Sequence, residues 1–362
     1  MNQSHPLRRR FTRTAWLMSL PALVGLFMFV ILPLVLGGYW SLTNKRLISP
    51  LPTEFIGLQN YDRLLSLRVL SQPPEIDPAT GEALRDESGQ IVYPRIRSIL
   101  RADDAFTDFS EWFSFEAFGQ RHTVIAKDPT FLRALVNTVV FVVVIVPGQG
   151  GLALIMALLV NQRLKGMNLF RTVYFSPVVT SMAVIAIVWR FLYNPDEGLI
   201  NRFLEVISFG QITPPGWLVD SNTALLAIII LSAWQAAGFQ MVIFLAGLQG
   251  IPDVLYEAAQ VDGASTWQQF RFVTLPQLRN TTIFVIISTT ILAFRLFTQI
   301  DVLTKGGPQN STVTVVFHAV EQGFRQQKIG YGSAITMVFF VIVVVIALIQ
   351  HRLLRSEKAM EE

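Results

Sequence analysis

Six apolar stretches constrain this chain more than anything else in it: Ala15 to Trp40, Phe131 to Val160, Phe170 to Phe191, Ala224 to Ala246, Ile283 to Phe297 and Ser333 to Ile349. As a helix, a run of about 20 apolar residues crosses the roughly 30 Å hydrocarbon core of a bilayer. In water, six such runs would expose more apolar surface than one domain can hide. Composition agrees, with 52% hydrophobic and 15% charged residues and a mean hydropathy of +0.47. The expected fold class is therefore an all-α membrane protein of six transmembrane helices. Arg8, Arg9, Arg10 and Arg13 precede the first run like the basic start of a secretory signal, but the run exceeds the roughly 7–15 residues of a signal core.

Orientation follows from the basic residues of the short connections, which are retained on the cytoplasmic side. Arg8, Arg9, Arg10 and Arg13, then Arg163, Lys165 and Arg171, then Arg271 and Arg279, then Arg352, Arg355 and Lys358 all fall on one side. The other side's short loops carry only Arg202, Lys305, Arg325 and Lys328, with Arg190 on the border. Both termini are thus expected in the cytoplasm. The organisation expected is a cytoplasmic segment 1–14, a first helix 15–42, an external loop 43–130, a helical core 131–349 and a cytoplasmic tail 350–362. The net charge of +4 comes from cations beside apolar runs and forms no basic face for nucleic acid.

The cytoplasmic connection 250–279 reads as two short helices with a sharp bend. Pro252 suits a first helical turn, and Asp253 suits the positive end of that helix. Gly263 offers a left-handed stop. Ser265 with Gln268, or Thr266 with Gln269, offers a capping-box start to a second helix, which Pro276 should end or kink. The Ala258-Ala259 step leaves a low surface that another backbone can approach, with Glu257 and Asp262 at its rim.

Glu257-Ala258-Ala259, Asp262-Gly263-Ala264 and Thr274-Leu275-Pro276, in that order, resemble the EAA loop of binding-protein-dependent ABC importer permeases. Three other stretches are similar to the maltose, trehalose and glycerol-phosphate branch: Phe55-Ile56-Gly57-Leu58-Gln59-Asn60-Tyr61, Asn137-Thr138 and Thr304-Lys305-Gly306-Gly307-Pro308. The last looks like the TGGGP stretch of one of the two paired permeases, with Lys305 replacing a glycine. The resemblance implies a type I importer permease fold in a bacterial inner membrane. It implies that the loop through Glu257, Ala258, Ala259, Asp262, Gly263, Leu275 and Pro276 docks on a separate ATPase dimer, which binds ATP and Mg. It also implies a second, related permease, an external solute-binding protein, and a sugar or polyol as cargo.

Members of that family usually run from a GLxNYxxLL stretch almost directly into DPxFxxALxNT. Here Asn60-Tyr61-Asp62-Arg63-Leu64-Leu65 and Asp128-Pro129-Thr130-Phe131 are separated by an insertion, 67–126. Asp77-Pro78-Ala79-Thr80-Gly81 and Asp86-Glu87-Ser88-Gly89 are turn signals, and Phe106, Phe109, Trp112, Phe113, Phe115 and Phe118 recur at roughly helical spacing. A small external subdomain of hairpins and a helix is expected, either a docking site for the solute-binding protein or a cap on the permease itself.

Polar groups within the spans mark candidate positions along a solute path: Ser181, Trp189, Tyr193, Ser232, Trp234, Gln235, Gln240 and Arg295. Aromatic faces suit sugar rings, and amides and hydroxyls read sugar hydroxyls. For any one of these residues, helix packing or the interfacial aromatic belt is the favoured explanation. Arg295 and Gln299 are expected on one helical face.

No Gly-x-x-x-x-Gly-Lys-Ser/Thr cradle and no paired-histidine metal motif occur, and His5, His122, His318 and His351 are dispersed. The chain offers no enzyme site, so no cofactor is expected on it. An ion-driven carrier would need acidic residues within spans, and the six runs contain none. A non-carbohydrate cargo in the same importer class stays open.

Overall fold

The computed structural model describes residues 6–78, 81–87, 89–162, 166–211 and 213–356. Of the features named above, His5, Ala79, Thr80, Ser88, Arg163, Lys165 and Lys358 lie outside the described residues. The helices are α1 (Pro6–Leu26), α2 (Leu32–Ser41), α3 (Gln59–Leu65), α4 (Ile96–Ala102), α5 (Pro129–Val160), α6 (Met167–Val179), α7 (Met182–Leu192) and α8 (Leu199–Ile207). They continue as α9 (Ala224–Gln249), α10 (Asp253–Val261), α11 (Thr266–Gln269), α12 (Leu275–Gln277), α13 (Arg279–Ala293), α14 (Thr298–Leu303), α15 (Val315–Val320) and α16 (Ile329–Ser356). Among the described residues, three strands, β1 (Leu67–Gln72), β2 (Ser110–Ala117) and β3 (Gln120–Ala126), make one sheet.

Among the described residues, four helical stretches are long and apolar enough to cross a membrane: Trp16–Ser41, Pro129–Val160, Ala224–Gln249 and Ile329–Gln350. The third expected span is broken: α6 and α7 meet at 101°. Pro177 stands in the last turns of α6, and Thr180 and Ser181 take extended ψ values of 139° and 132°. A proline inside a helix removes a backbone donor and weakens the ladder where the chain then turns. The fifth expected span also differs, since α13 stops at Ala293 after 15 residues, short of a full crossing.

The chain divides into two units, residues 1–66 with 319–338, and 67–318 with 339–362. In the first, the stretch around Asn60 is tied to the end of α2. Asn60 Nδ2 donates to the carbonyls of Ser41 and Thr43 at 2.8 and 2.9 Å, and the Tyr61 and Ser41 hydroxyls are 2.7 Å apart. Gly330 packs on the backbone of Trp40 and Thr43, where a Cβ would overlap carbonyl oxygens. From Trp16 to Ser41 the richest apolar window has 0% of its residues buried, as expected of a helix whose solvent is lipid.

In the second unit α5 packs along α9, with small residues letting the helices approach. Ala153, Ala157 and Val160 meet Met241, Phe244, Leu245 and Leu248, and Leu278 and Val285 close the cluster. Gly238 of α9 lies directly on the Tyr174 carbonyl of α6.

Residues 67–126, the expected insertion, carry an antiparallel sheet in the order β1-β3-β2, opening with Leu67 paired to Ala126. Leu100 of α4, Phe109 and Ile125 form its core. The helical reading of the aromatics fails here. Trp112, Phe113 and Phe115 lie in β2, and Phe106 ends a short 3-10 turn. The hairpin turns through Phe118 and Gly119 at φ 53° and 72°, two successive positive values that match the right-handed twist of the strands. Phe118 is an unusual residue for that position, so the turn was hidden in the sequence. Asp86 and Gly89, by contrast, close the expected tight turn, the Gly89 N–H donating to the Asp86 carbonyl at 2.9 Å.

Candidate functional site

The connection after α9 folds as a capped pair of helices. Pro252 is the N-cap of α10 with an extended backbone, one position earlier than expected, and Asp253 opens the helix. Gly263 takes φ +77°, a conformation that costs a glycine little. Of the two capping boxes the sequence allowed, Ser265 with Gln268 forms. The Ser265 N–H donates to Gln268 Oε1 at 2.7 Å, and Gln268 N–H donates back to Ser265 Oγ. Gln269 is used differently, its amide donating to the Ala264 carbonyl at 3.0 Å. A π-type turn, Phe270–Thr274, leads into α12, and the chain breaks at Leu278, two residues beyond Pro276.

Neither α10 nor α11 contains a buried residue. The pair is anchored from below by the Tyr256 hydroxyl, 2.9 Å from Thr274 Oγ1, and by the fully buried Leu278. Glu257, Ala258, Asp262, Gly263 and Pro276 are exposed, Leu275 is 39% exposed and Ala259 half-buried. Beside them Val261 is 87% and Trp267 66% exposed. Apolar side chains turned away from the protein around an Ala-Ala step make a surface suited to another chain.

A separate cavity of about 220 Å³ opens among α5, α9, α13 and the segment that follows it. Ser232 and Gln235 project from successive turns of α9, Arg295 enters from the break between α13 and α14, and Gln299 from the first turn of α14. These last two were expected on one helical face. The helix ends at Ala293, and Phe297, at φ −141° and ψ −59°, resets the chain before Gln299. Both still line the same space, and Gln299 Nε2 donates to Ser232 Oγ at 3.3 Å.

The other expected path residues are placed elsewhere. The Trp189 ring lies 5.2 Å from that of Tyr193 and 5.3 Å from that of Trp234, tilted by 55° and 52°. Tyr193 is buried, its hydroxyl donating to the Ala227 carbonyl at 2.9 Å. Ser181 is the exposed N-cap position of α7, next to the lining residue Met182. Gln240 is 1% exposed and bonds through Nε2 to Thr289 Oγ1, with its Oε1 left without a partner among the described residues.

Two lining residues escaped the sequence reading. Thr289 faces the cavity from α13, and Gln149 from α5. Gln149 is 5% exposed and makes no hydrogen bond to the described residues. Its signal was available: a lone amide within an apolar run, in Pro147-Gly148-Gln149-Gly150-Gly151.

Long apolar helices, a capped and exposed connecting loop and a polar recess among the helices are features that a solute permease requires. Residues 129–358 match the family described as binding-protein-dependent transport system inner membrane component, and the chain belongs to that family. It is 35% identical to the probable ABC transporter permease protein YurN of Bacillus subtilis, over 71% of this chain and 90% of that one. It is 34% identical to the lactose transport system permease protein LacF of Rhizobium radiobacter, over 74% and 90% of the two chains. With the trehalose/maltose transport system permease protein MalF of Thermococcus litoralis it shares 31% identity over 94% of each. Its fold is similar to that of a chain in the crystal structure of a bacterial ABC transporter that imports the acidic polysaccharide alginate. That match has a TM-score of 0.66 and 18% identity, covering 97% of this chain and 99% of the other.

Proposed function

We propose that this chain is one of two paired permease subunits of an ATP-driven importer for a sugar or sugar-like polyol. The observation that carries the cargo reading is the cavity. Its polar lining is made of amides and hydroxyls from Gln149, Ser232, Gln235, Thr289 and Gln299, with Arg295 the only charged side chain among the described residues. Such groups suit a hydroxyl-rich, largely uncharged solute. The names of the relatives, which include lactose and trehalose/maltose permeases, support the same class.

In this reading the chain crosses the bacterial inner membrane six times, with the bent α6–α7 pair as span three and α13 with its continuation as span five. Both termini face the cytoplasm, and the 67–126 insertion faces outward, towards the solute-binding protein. ATP and Mg are bound by a separate ATPase dimer, against which α10 and α11 dock through Glu257, Ala258, Ala259, Asp262 and Gly263. Closure of that dimer draws the loop inward. Because Leu278 sits in the α5–α9 core cluster and Tyr256 packs against it, the movement is passed to α9 and α13, which line the cavity, and the recess opens to the outside.

The test is uptake by sealed vesicles holding this chain, its paired permease, the ATPase and the binding protein, with ATP inside and radiolabelled sugars and polyols outside. ATP-dependent accumulation of one of them is expected, and deletion of residues 257–263 should abolish it while leaving membrane insertion intact. Full uptake by the deletion variant would overturn the coupling role. Uptake confined to amino acids or peptides would overturn the cargo class.

A further inference from the structure

The insertion holds a second polar recess, which transport through the core does not use. Between α4 and the sheet, cavities of about 670 and 340 Å³ meet at Ile96, Arg97 and Glu111. The smaller is lined by Gln72, Tyr93 and Thr123, which are 2%, 8% and 1% exposed. Arg95, Arg97 and Arg121 surround it, and the larger adds Arg101 and Trp112.

Gln72 is the informative residue. The period of β1 places it on the sheet face that α4 covers, beside Arg121 in register. Its Nε2 is fully buried and has no acceptor among the described residues. A buried amide donor without a partner is costly, and folded proteins rarely leave one unless something else supplies the acceptor. The arginines around it add to the same imbalance. Arg121 donates to Ser114 Oγ at 2.9 Å, whereas Arg95, Arg97 and Arg101 have no side-chain partner among the described residues. Glu111 and Asp104 are the only carboxylates in the lining, against four guanidinium groups.

We propose that this groove is a binding site for a carboxylate-bearing sugar unit, a uronic acid residue of an oligosaccharide. A carboxylate supplies the acceptors that Gln72 and the arginines lack, and guanidinium groups bind it in a fork geometry. Tyr93 and Trp112 provide the aromatic faces on which a sugar ring packs. A small concave recess with a buried base suits a small molecule better than a flat protein surface does. The proposal does not rest on the transport reading, because the site lies wholly within the insertion.

The test is calorimetric titration of trigalacturonate into the full-length chain assembled with its partner subunits, without ATP. Wild type is expected to bind it, and the fully methyl-esterified trisaccharide to bind about tenfold or more weakly, as loss of a charge-assisted hydrogen bond requires. Arg97→Gln, an exposed position, should weaken trigalacturonate by a similar factor. Gln72→Leu should weaken it too, while leaving the thermal unfolding temperature unchanged or higher. No heat of binding at millimolar trigalacturonate, equal binding of the ester, or unaltered binding by Arg97→Gln would each overturn the proposal.

Discussion

Asp128 and His318 are 190 residues apart in sequence and meet at 2.9 Å, Oδ2 to Nε2, both buried. The other carboxylate oxygen of Asp128 accepts the Phe131 N–H at 2.9 Å and caps α5. Further along the same helix, Arg133 donates to the Gln309 carbonyl, Asn137 to those of Asn310 and Val313, and the Thr138 hydroxyl accepts the Val315 N–H. The first turns of α5 thus hold the segment 309–318 in place. This gives a physical reason for the Asp128-Pro129 to Asn137-Thr138 stretch by which the chain resembles its family.

Asp128→Ala should therefore lose a cap worth about 1 kcal/mol and strand His318, a further ~1–3 kcal/mol for a buried polar group without its partner. Asp128→Asn retains a capping oxygen and should lose much less. Thermal unfolding of the detergent-solubilised complex distinguishes them; equal destabilisation by the two would show that the cap contributes nothing.

Gly238→Ala should be among the most damaging single-methyl changes in the core. The new Cβ would run into the backbone carbonyl of Tyr174, which no rotamer change relieves. Overpacking of this kind costs about 1–3 kcal/mol. A lower unfolding temperature is expected, together with reduced assembly with the partner subunits on a sizing column. Gly148→Ala, with nothing within 4 Å of its added Cβ, is the control.

The loop makes a kinetic prediction. Ser265→Ala removes one half of the capping box, about 1 kcal/mol of local helix stability, and Gly263→Val forces a branched side chain into positive φ. Neither touches the membrane core. Both should lower the sugar transported per ATP hydrolysed in reconstituted vesicles, with Gly263→Val the more severe. An unchanged ratio in both would mean that the bend between α10 and α11 does not carry the coupling.

In the cavity, Gln149→Leu removes an amide that has no hydrogen bond to the described residues. The expected result is a rise of about two- to tenfold in the KM for uptake, as for one lost hydrogen bond, with thermal stability unchanged or increased. Tyr193→Phe is the counterpart. It deletes the bond to the Ala227 carbonyl, so it should lower stability by about 1 kcal/mol and leave KM alone. The reverse pattern would exchange the roles of the two residues.

The loop was the most legible part of the chain. A glycine stop, a capping box and a flanking proline act within a few residues of one another, so they can be read without knowledge of the rest. Local signals served less well where neighbours intervene. The aromatics from Phe106 to Phe118 fit a helical period, but pairing with β3 makes a strand of Ser110–Ala117. The Phe170–Phe191 run is apolar enough for one span, yet the chain turns sharply after Pro177. Among the path candidates, Ser232 and Trp234 stand two residues apart on α9, and only Ser232 lines the cavity.

By itself, then, the sequence determined that the chain carries several long apolar helices and a capped, bent pair of short helices between α9 and α13. Caps and turn residues act within a few residues of one another, so they survive whatever the rest of the chain does. Tertiary structure alone decided which polar groups share a space: Gln149 with Gln235 and Arg295 in the core, and Gln72 with Arg97 in the insertion. Those groupings depend on which face of each helix or strand turns inward, and on where helices break, and both are set by packing between segments far apart in the chain.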